Sequence, residues 1–392
     1  MRIQIVLMAM LMGAMPAAMA GNGWITADEA AWRAMQGDAA IALRGSSPAG
    51  LYLLELDLDQ VGRLAATLHG KLRHCGGFML HESEDEARLA LAGTGPQALP
   101  ERARPSYRLT QQAVVAPALA RIDAAKIAAT IMRLSAFPNR YFSSAQGVEA
   151  SDWIRLAWDE IGRQHPGFSV VQFAHAAYRQ PSVIATILGS DRTDEVVVLG
   201  AHLDSISIAG SAAPGADDDA SGIAGLTELL RTLVAGKIQP RRTIKLIAYA
   251  AEEVGLRGSQ EIAKAFRQAR VDVVGVLQLD MTNYKGSDKD IYLIDDHTDP
   301  AQNQFLRALA AAYLPALTVG SEKCGYACSD HASWTGQGYA ASMPFESAMG
   351  QDNPHIHTRN DTFANSGSQA AHALKFTRLA AAFAIELAAD SQ

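Results

Sequence analysis

Cysteine is scarce in this chain, three residues among 392, which excludes a disulfide-dense secreted scaffold. Cys324 and Cys328 stand four residues apart in CGYAC and are expected to bridge in an oxidising compartment, leaving Cys75 without a partner. So short a loop constrains the unfolded chain by only about 2 kcal/mol, and its expected purpose is to shape a local surface. Zinc thiolates would call for a second cysteine pair, which three cysteines cannot supply. A basic excess is missing too. The 34 lysines and arginines against 41 aspartates and glutamates give a formal net charge of -7, and no patch for nucleic acid or anionic lipid is expected. Apolar runs beyond the first twenty residues, such as Val196 to Leu199, are of strand length, so no membrane span is expected. Those first twenty contain Arg2, a mostly apolar run from Ile3 to Met15, and Ala18-Met19-Ala20 before Gly21. This is the form of a signal peptide, residues 1–20, and implies a secreted or periplasmic protein.

With 48% hydrophobic and 19% charged residues, the remainder has an ordinary globular composition, and about 370 residues suffice for one large domain plus an accessory piece. Residues 21–105 carry helical patterns at Ala27 to Met35 and Val61 to Leu72 and an alternating LYLLELDLD at Leu51 to Asp59. The segment ends in PQALPERARPS, a proline and arginine rich stretch open to proteolysis, so a small α+β pro-domain is expected, with a permanent accessory domain as the alternative.

From 106 to 392 helices and strands alternate. Helices are expected at Ala124 to Ser135, Glu149 to Arg163, Ala220 to Val234, Gly258 to Ala269, Gln302 to Tyr313 and Ser368 to Ala388. Strands are expected at Ser169 to Ala174, Ser182 to Leu188, Val196 to Ala201, Thr243 to Ala250, Val274 to Leu279, Asp290 to Ile294 and Ser342 to Glu346. Strands Val196 to Ala201 and Val274 to Leu279 are apolar on both faces, as a sheet covered on both sides requires. The expectation is an α/β fold, a three-layer α/β/α domain around a central mixed, mostly parallel twisted sheet, with ligands at the carboxyl ends of its strands.

Acids and histidines gather at those strand ends: His202 and Asp204 in GAHLDS, Asp217, Asp218 and Asp219 in GADDDASG, Glu252 and Glu253 in AAEEVG, Asp280 in LQLDM, and His355 and His357 in PHIHT. Each carboxylate buried there costs several kcal/mol without a positive partner, and no lysine or arginine is interleaved. A metal centre resolves this. Five side chains sharing one carboxylate between two metals give each metal three protein donors and an open position. Taken singly, a His-x-Asp is a common turn feature and three aspartates before a helix are a common N-cap. The residues alone do not say which aspartate of the triplet is shared, or which of His355 and His357 binds.

AHLDS, PGADDDASG, AYAAEEVGLRGSQ, LQLDMTNYKGS, CGYACSDHASW, MPFES and IHT closely resemble, in the same order, segments of the secreted bacterial leucyl aminopeptidases with a co-catalytic di-zinc site, over most of residues 107 to 390. The resemblance implies two Zn2+, with His202 and Asp280 on one, Glu253 and His357 on the other, and Asp218 bridging. Glu252 would be the general base acting on the bridging water, and Asp204 would orient His202. Substrates would be peptides with a free amino terminus, losing a leucine or other large apolar residue. The pocket would be formed by Met281, Ile294, Tyr326, Met343, Phe345 and Ile356 with Cys324 and Cys328, Tyr326 also aiding the oxyanion. The protein would act as a monomer. Met349 and Asp352 stand where those relatives carry large aromatics, and the loop between His202 and Asp218 is shorter. A single-zinc glutaminyl cyclase, a non-catalytic binding relative, and a carboxypeptidase or dipeptidase on a similar metal site are the competing readings.

Overall fold

The computed structural model describes residues 21–72, 77–93, 107–207 and 212–389. The expected signal peptide, Cys75 and the whole of the PQALPERARPS stretch lie outside them. Among the described residues no helix is long and apolar enough to cross a membrane.

The first unit runs β1 (Asn22–Ala27), α1 (Glu29–Met35), β2 (Ala42–Ser46), β3 (Tyr52–Asp57), α2 (Val61–Leu72), β4 (Phe78–His81) and α3 (Glu84–Leu91). Its sheet, in the order β2-β3-β1-β4, is antiparallel throughout. Two of its helices, α1 and α2, fall where the sequence places them. Strands β1, β2 and β4 were not anticipated, being four to six residues long with weak alternation. Its core of Ile25, Leu54, Leu56, Leu64, Leu68 and Phe78 is shared with Ile206, Ala251 and Val254 of the larger domain.

That domain begins with α4 (Gln112–Leu119), α5 (Ala124–Ser135) and α6 (Ala145–Gly162), then β5 (Phe168–Phe173), β6 (Ser182–Ile187), β7 (Arg192–His202), α7 (Ala220–Ala235) and β8 (Arg242–Tyr249). There follow α8 (Arg257–Gln268), β9 (Asp272–Gln278), β10 (Ile291–Ile294), α9 (Pro300–Tyr313), β11 (Val319–Glu322), α10 (His331–Gly336), β12 (Ala341–Ser342), β13 (Pro344–Phe345) and α11 (Ala373–Ala389). The main sheet has the order β12-β9-β7-β8-β6-β5; its first three pairings are parallel and its last two antiparallel. The α/β fold with a mixed, mostly parallel sheet is therefore as expected. Alternation along β7 divides the layers. Val197, Leu199 and Ala201 pack with α5, α6, α7 and α11, while Val196 and Val198 pack with Ile262 of α8 and Trp334 of α10.

Two expectations need correction. The single strand Ser342 to Glu346 is two short strands in different sheets: β12 extends the main sheet, and β13 joins β10 and β11 in a separate three-stranded one. The last helix starts at Ala373, five residues later than expected, because Asp361 to His372 are occupied in turns that hold the site.

The turn between β8 and α8 is tightly fitted. A Cβ on Gly258 would lie 2.2 Å from the Ala250 carbonyl oxygen and 3.0 Å from its nitrogen, both of them backbone atoms that cannot swing aside. Gly258→Ala is expected to destabilise the fold by about 1–3 kcal/mol, as overpacking does. An unchanged midpoint in urea denaturation would contradict it.

Candidate metal centre

Strands β9, β7 and β8 lie side by side and parallel, so their carboxyl ends open on one edge of the sheet. His202 is the last residue of β7, Glu252 and Glu253 follow β8, and Asp280 follows β9. The loop before α7 adds Asp217, Asp218 and Asp219, and the long segment before α11 adds His357. Three residues at this edge, Ala251, Met281 and His357, hold φ between 55° and 58°, a left-handed conformation that non-glycine residues keep only where the surroundings enforce it.

His202 Nε2 lies 2.9 Å from Asp218 Oδ1 and 3.5 Å from Asp280 Oδ1. His357 Nε2 lies 2.8 Å from Asp218 Oδ2 and 3.2 Å from Glu253 Oε2. The two oxygens of Asp218 thus face different imidazoles, each with one further carboxylate beside it. All five side chains are buried. Mutually close donor groups also include Asp219, with His202 and Asp280, and His69, with Glu253 and His357. Asp219 is committed elsewhere: its carboxylate accepts the N–H groups of His202, Gly222 and Met281 at 3.1, 2.8 and 3.2 Å, as an N-cap that also ties three loops together. His69 comes from α2 of the first unit, where sequence reasoning placed no site residue.

The remaining candidates take distinct places. Asp204 accepts the N–H groups of Glu252 at 3.0 Å and Glu253 at 3.2 Å, so it fastens the glutamate turn. Its contact with His202 Nδ1, at 3.5 Å, is longer than a well-formed hydrogen bond. Asp217 accepts from the Asn283 N–H and Asn353 Nδ2, and Asn353 also donates to Asp361, whose carboxylate caps the N–H groups of Asp217 and Asp218. His355 joins none of the donor groups found. His331 is buried, its Nε2 3.2 Å from the Asp296 carbonyl oxygen, and burial pushes it down to about 3, as suits a structural residue. Further supports were not legible in sequence. Ser329 Oγ donates to Asp280 Oδ2 at 2.6 Å, and the buried Arg140 guanidinium donates to the carbonyl oxygens of Leu203, Pro214 and Gly215, clamping the loops that carry His202 and Asp218.

The electrostatics favour cations. Burial raises Glu252 well above the usual carboxyl range and, with Asp218 adding repulsion, raises Glu253 to about 7. Burial alone would lower His357, yet Glu253 and Asp218 bring it up to about 10. His202 is likewise raised against its burial, by Asp280 and Glu252. Both Glu252 oxygens and Asp280 Oδ1 have no hydrogen-bond partner among the described residues. Orphaned buried oxygens beside two imidazoles fit a cation site, and oxygen-rich donors with only two imidazoles suit zinc, cobalt or manganese better than copper.

Beside Asp280, the residues Met281, Ile294, Tyr326, Met343, Phe345 and Ile356 form one buried apolar cluster with Cys328. The Cys324–Cys328 bridge is formed, with Cα atoms 6.2 Å apart. A cavity of about 20 Å³ is lined by Met281, Tyr326, Met343, Phe345, both cysteines, Met349 and Asp352 next to Asp280, while Ile294 and Ile356 do not line it. It holds little more than a water, so a leucine-sized side chain enters only if flexible walls such as Met343 and Met349 shift.

A sequence profile described as Peptidase family M28 matches residues 182–383. The chain is 37% identical over 286 residues to a probable leucine aminopeptidase of the fungus Arthroderma otae, covering 71% of this chain and 78% of that protein. Among solved structures it resembles the LapA aminopeptidase of Legionella pneumophila, with 26% identity and a TM-score of 0.81 over 95% of this chain and all of that one. LapB from the same organism gives 29% identity and a TM-score of 0.82 over 94% of this chain and all of that one. The shared profile spans more than half of the residues and contains His202, Asp218, Glu252, Glu253, Asp280 and His357, so the chain belongs to peptidase family M28.

Proposed function

We propose that this protein is a metal-dependent aminopeptidase that removes a leucine or other large apolar residue from the amino terminus of peptides. The observation that carries the reading is Asp218, whose two oxygens address separate imidazoles, with the unpartnered Glu252 carboxylate alongside. His202 and Asp280 would hold one zinc ion, Glu253 and His357 the other, and Asp218 both. Bound there, two zinc ions would supply Lewis-acid chemistry, polarising a carbonyl and acidifying water.

The chain's own residues supply the rest. Glu252, whose carboxylate has no hydrogen-bond partner among the described residues, takes a proton from the attacking water at a carboxylate oxygen and delivers it to the leaving amine. Burial raises Glu252, and cations held by the neighbouring donors would oppose that effect and favour its ionised form. Asp204 holds the glutamate turn so that Glu252 and Glu253 point to their separate tasks. The apolar cluster around Met281, Met343 and Phe345 receives the first side chain. The same reading extends to the ends of the chain. Residues 1–20 direct export, to the periplasm or beyond, and residues 21–105 form a pro-domain that covers the site until removed.

Metal content measured beside hydrolysis of leucine p-nitroanilide tests the assignment, and loss of turnover on acetylating the substrate amine separates an aminopeptidase from a carboxypeptidase. One metal per chain with cyclisation of amino-terminal glutamine would instead indicate the glutaminyl cyclase chemistry; a stoichiometric metal with no turnover would indicate a binding protein. Glu252→Gln is expected to retain both metals while kcat falls about 10²- to 10⁴-fold, whereas Glu253→Ala should lose metal. Near-normal turnover in the Gln variant would refute the role given to Glu252. Protein nicked between Gly93 and Tyr107 and stripped of its first unit should be more active than the intact chain; equal activity would remove the pro-domain assignment. At the pocket, Asp352 is already engaged by the Gly350 N–H at 2.9 Å, so its pull on a cationic first residue is that of a partly screened rim charge. Asp352→Asn should lower kcat/KM for arginine relative to leucine by a few-fold at most, consistent with about 1 kcal/mol or less for an exposed pair, and an unmoved ratio would exclude Asp352 from specificity.

A further inference from the structure

Helix α2 has two working faces. Val61, Leu64, Ala65 and Leu68 pack into the core of the first unit. A second stripe, Gly62, Ala66 and His69, spaced four and three residues apart as one helix face requires, meets the larger domain. Gly62 and Ala66 line a cavity together with Tyr141, Ser144, Ile206 and Ala213 of that domain. The approach is close: a Cβ on Gly62 would lie 2.5 Å from the Tyr141 hydroxyl. Small residues at the first two positions of the stripe let the helix come near enough to carry the third into the donor cluster.

His69 is fully buried there. Its ring stacks on that of His357 with centroids 3.9 Å apart and planes at 25°, and its Nδ1 lies 3.6 Å from Glu253 Oε2. His69, Glu253 and His357 form one group of mutually close donor atoms. Two of these three are the ligands assigned above to one half of the centre. The surrounding interface fixes the arrangement: the Leu80 N–H donates to the Gly255 carbonyl oxygen at 3.2 Å, Gln260 Nε2 donates to the Leu80 carbonyl oxygen at 2.9 Å, and Lys264 pairs with Glu86 at 2.6 Å. All three contacts join the first unit to the glutamate turn or the helix that follows it.

We propose that in the uncleaved chain His69 is a metal ligand, completing the half-site of Glu253 and His357 from the first unit and filling the position that a substrate amine or carbonyl must take. The inference rests on the dinuclear reading given above and extends it, turning the cover over the site from a steric lid into a coordinated one. Ring stacking alone would be served by any aromatic side chain. What distinguishes histidine is a nitrogen lone pair placed beside a carboxylate and an imidazole that already share a site.

Titration of the full chain with Co2+, followed by visible absorption and by competition with a chromophoric chelator, separates the possibilities. His69→Phe keeps a ring to stack on His357 and removes the donor; His69→Ala removes both. Both variants are expected to bind the weaker of two Co2+ ions about tenfold or more less tightly than the wild type, with the same change in absorption band. Equal affinity and an unchanged band in His69→Phe would overturn the proposal and leave His69 as packing. X-ray absorption of the zinc-loaded wild-type chain provides a measurement that needs no variant: three imidazoles per pair of zinc ions support the ligand, and two overturn it. Two bound metals indifferent to His69 would defeat this proposal alone, whereas failure of the wild-type chain to bind any Co2+ would defeat the dinuclear reading with it.

Discussion

Negative charge packed at the edge of a parallel sheet governs this molecule. Asp204, Asp218, Glu252, Glu253 and Asp280 are all buried within reach of just two imidazoles of the larger domain, His202 and His357. Moving carboxylates out of water costs several kcal/mol each unless charge or hydrogen bonds replace the lost hydration. Much of the surrounding architecture serves as that replacement. Asp204 and Asp219 consume backbone N–H groups from the very loops that present the other acids, and Arg140 stands behind them with its guanidinium committed to loop carbonyls. What these contacts leave unmet, at Glu252 and Asp280, is left on the side where cations would enter. Metal uptake would thereby be linked to folding, because a cation that binds only the assembled cluster stabilises the assembled fold.

A neighbouring acid network has a different solution. Asp217 and Glu346 are both buried and each accepts hydrogen bonds from Asn353; burial and then Asp217 hold Glu346 well above its ordinary range, while burial brings Asp217 only to about 6. Burial there favours the neutral acid, whereas the donor cluster a few residues away fits a cation. The two solutions coexist in one stretch of three aspartates because each side chain is aimed by a different set of backbone donors.

How far the sequence could be read follows from what kind of signal each residue leaves. The strands that lead to His202 and Asp280 are apolar on both faces, and an acid or histidine closing such a run stands out, so this edge of the site was legible from residues and the resemblance together. The roles within the triplet were not legible from spacing, since Asp217, Asp218 and Asp219 differ only in which loop N–H groups surround them after folding. Arg140 sits more than sixty residues before the loops it clamps and has no local pattern. His69 lies on the inner face of an amphipathic helix, where a histidine reads as an ordinary core residue. The split of Ser342 to Glu346 between two sheets also escaped, because the change of partner at Met343 depends on β10, whose place is set by tertiary packing.

The hydrophobic core shared by the first unit with Ile206, Ala251 and Val254 has a consequence for any processing step. Cutting the chain between Gly93 and Tyr107 severs a tether without touching that core, so the two pieces would remain together as a noncovalent complex. On the pro-domain reading proposed above, what would change is effective concentration: a covalently attached cover would become one that can diffuse away and must rebind in competition with dilution. The released unit would then act in trans, and unmasking would be governed by its dissociation rate and its own survival against further proteolysis.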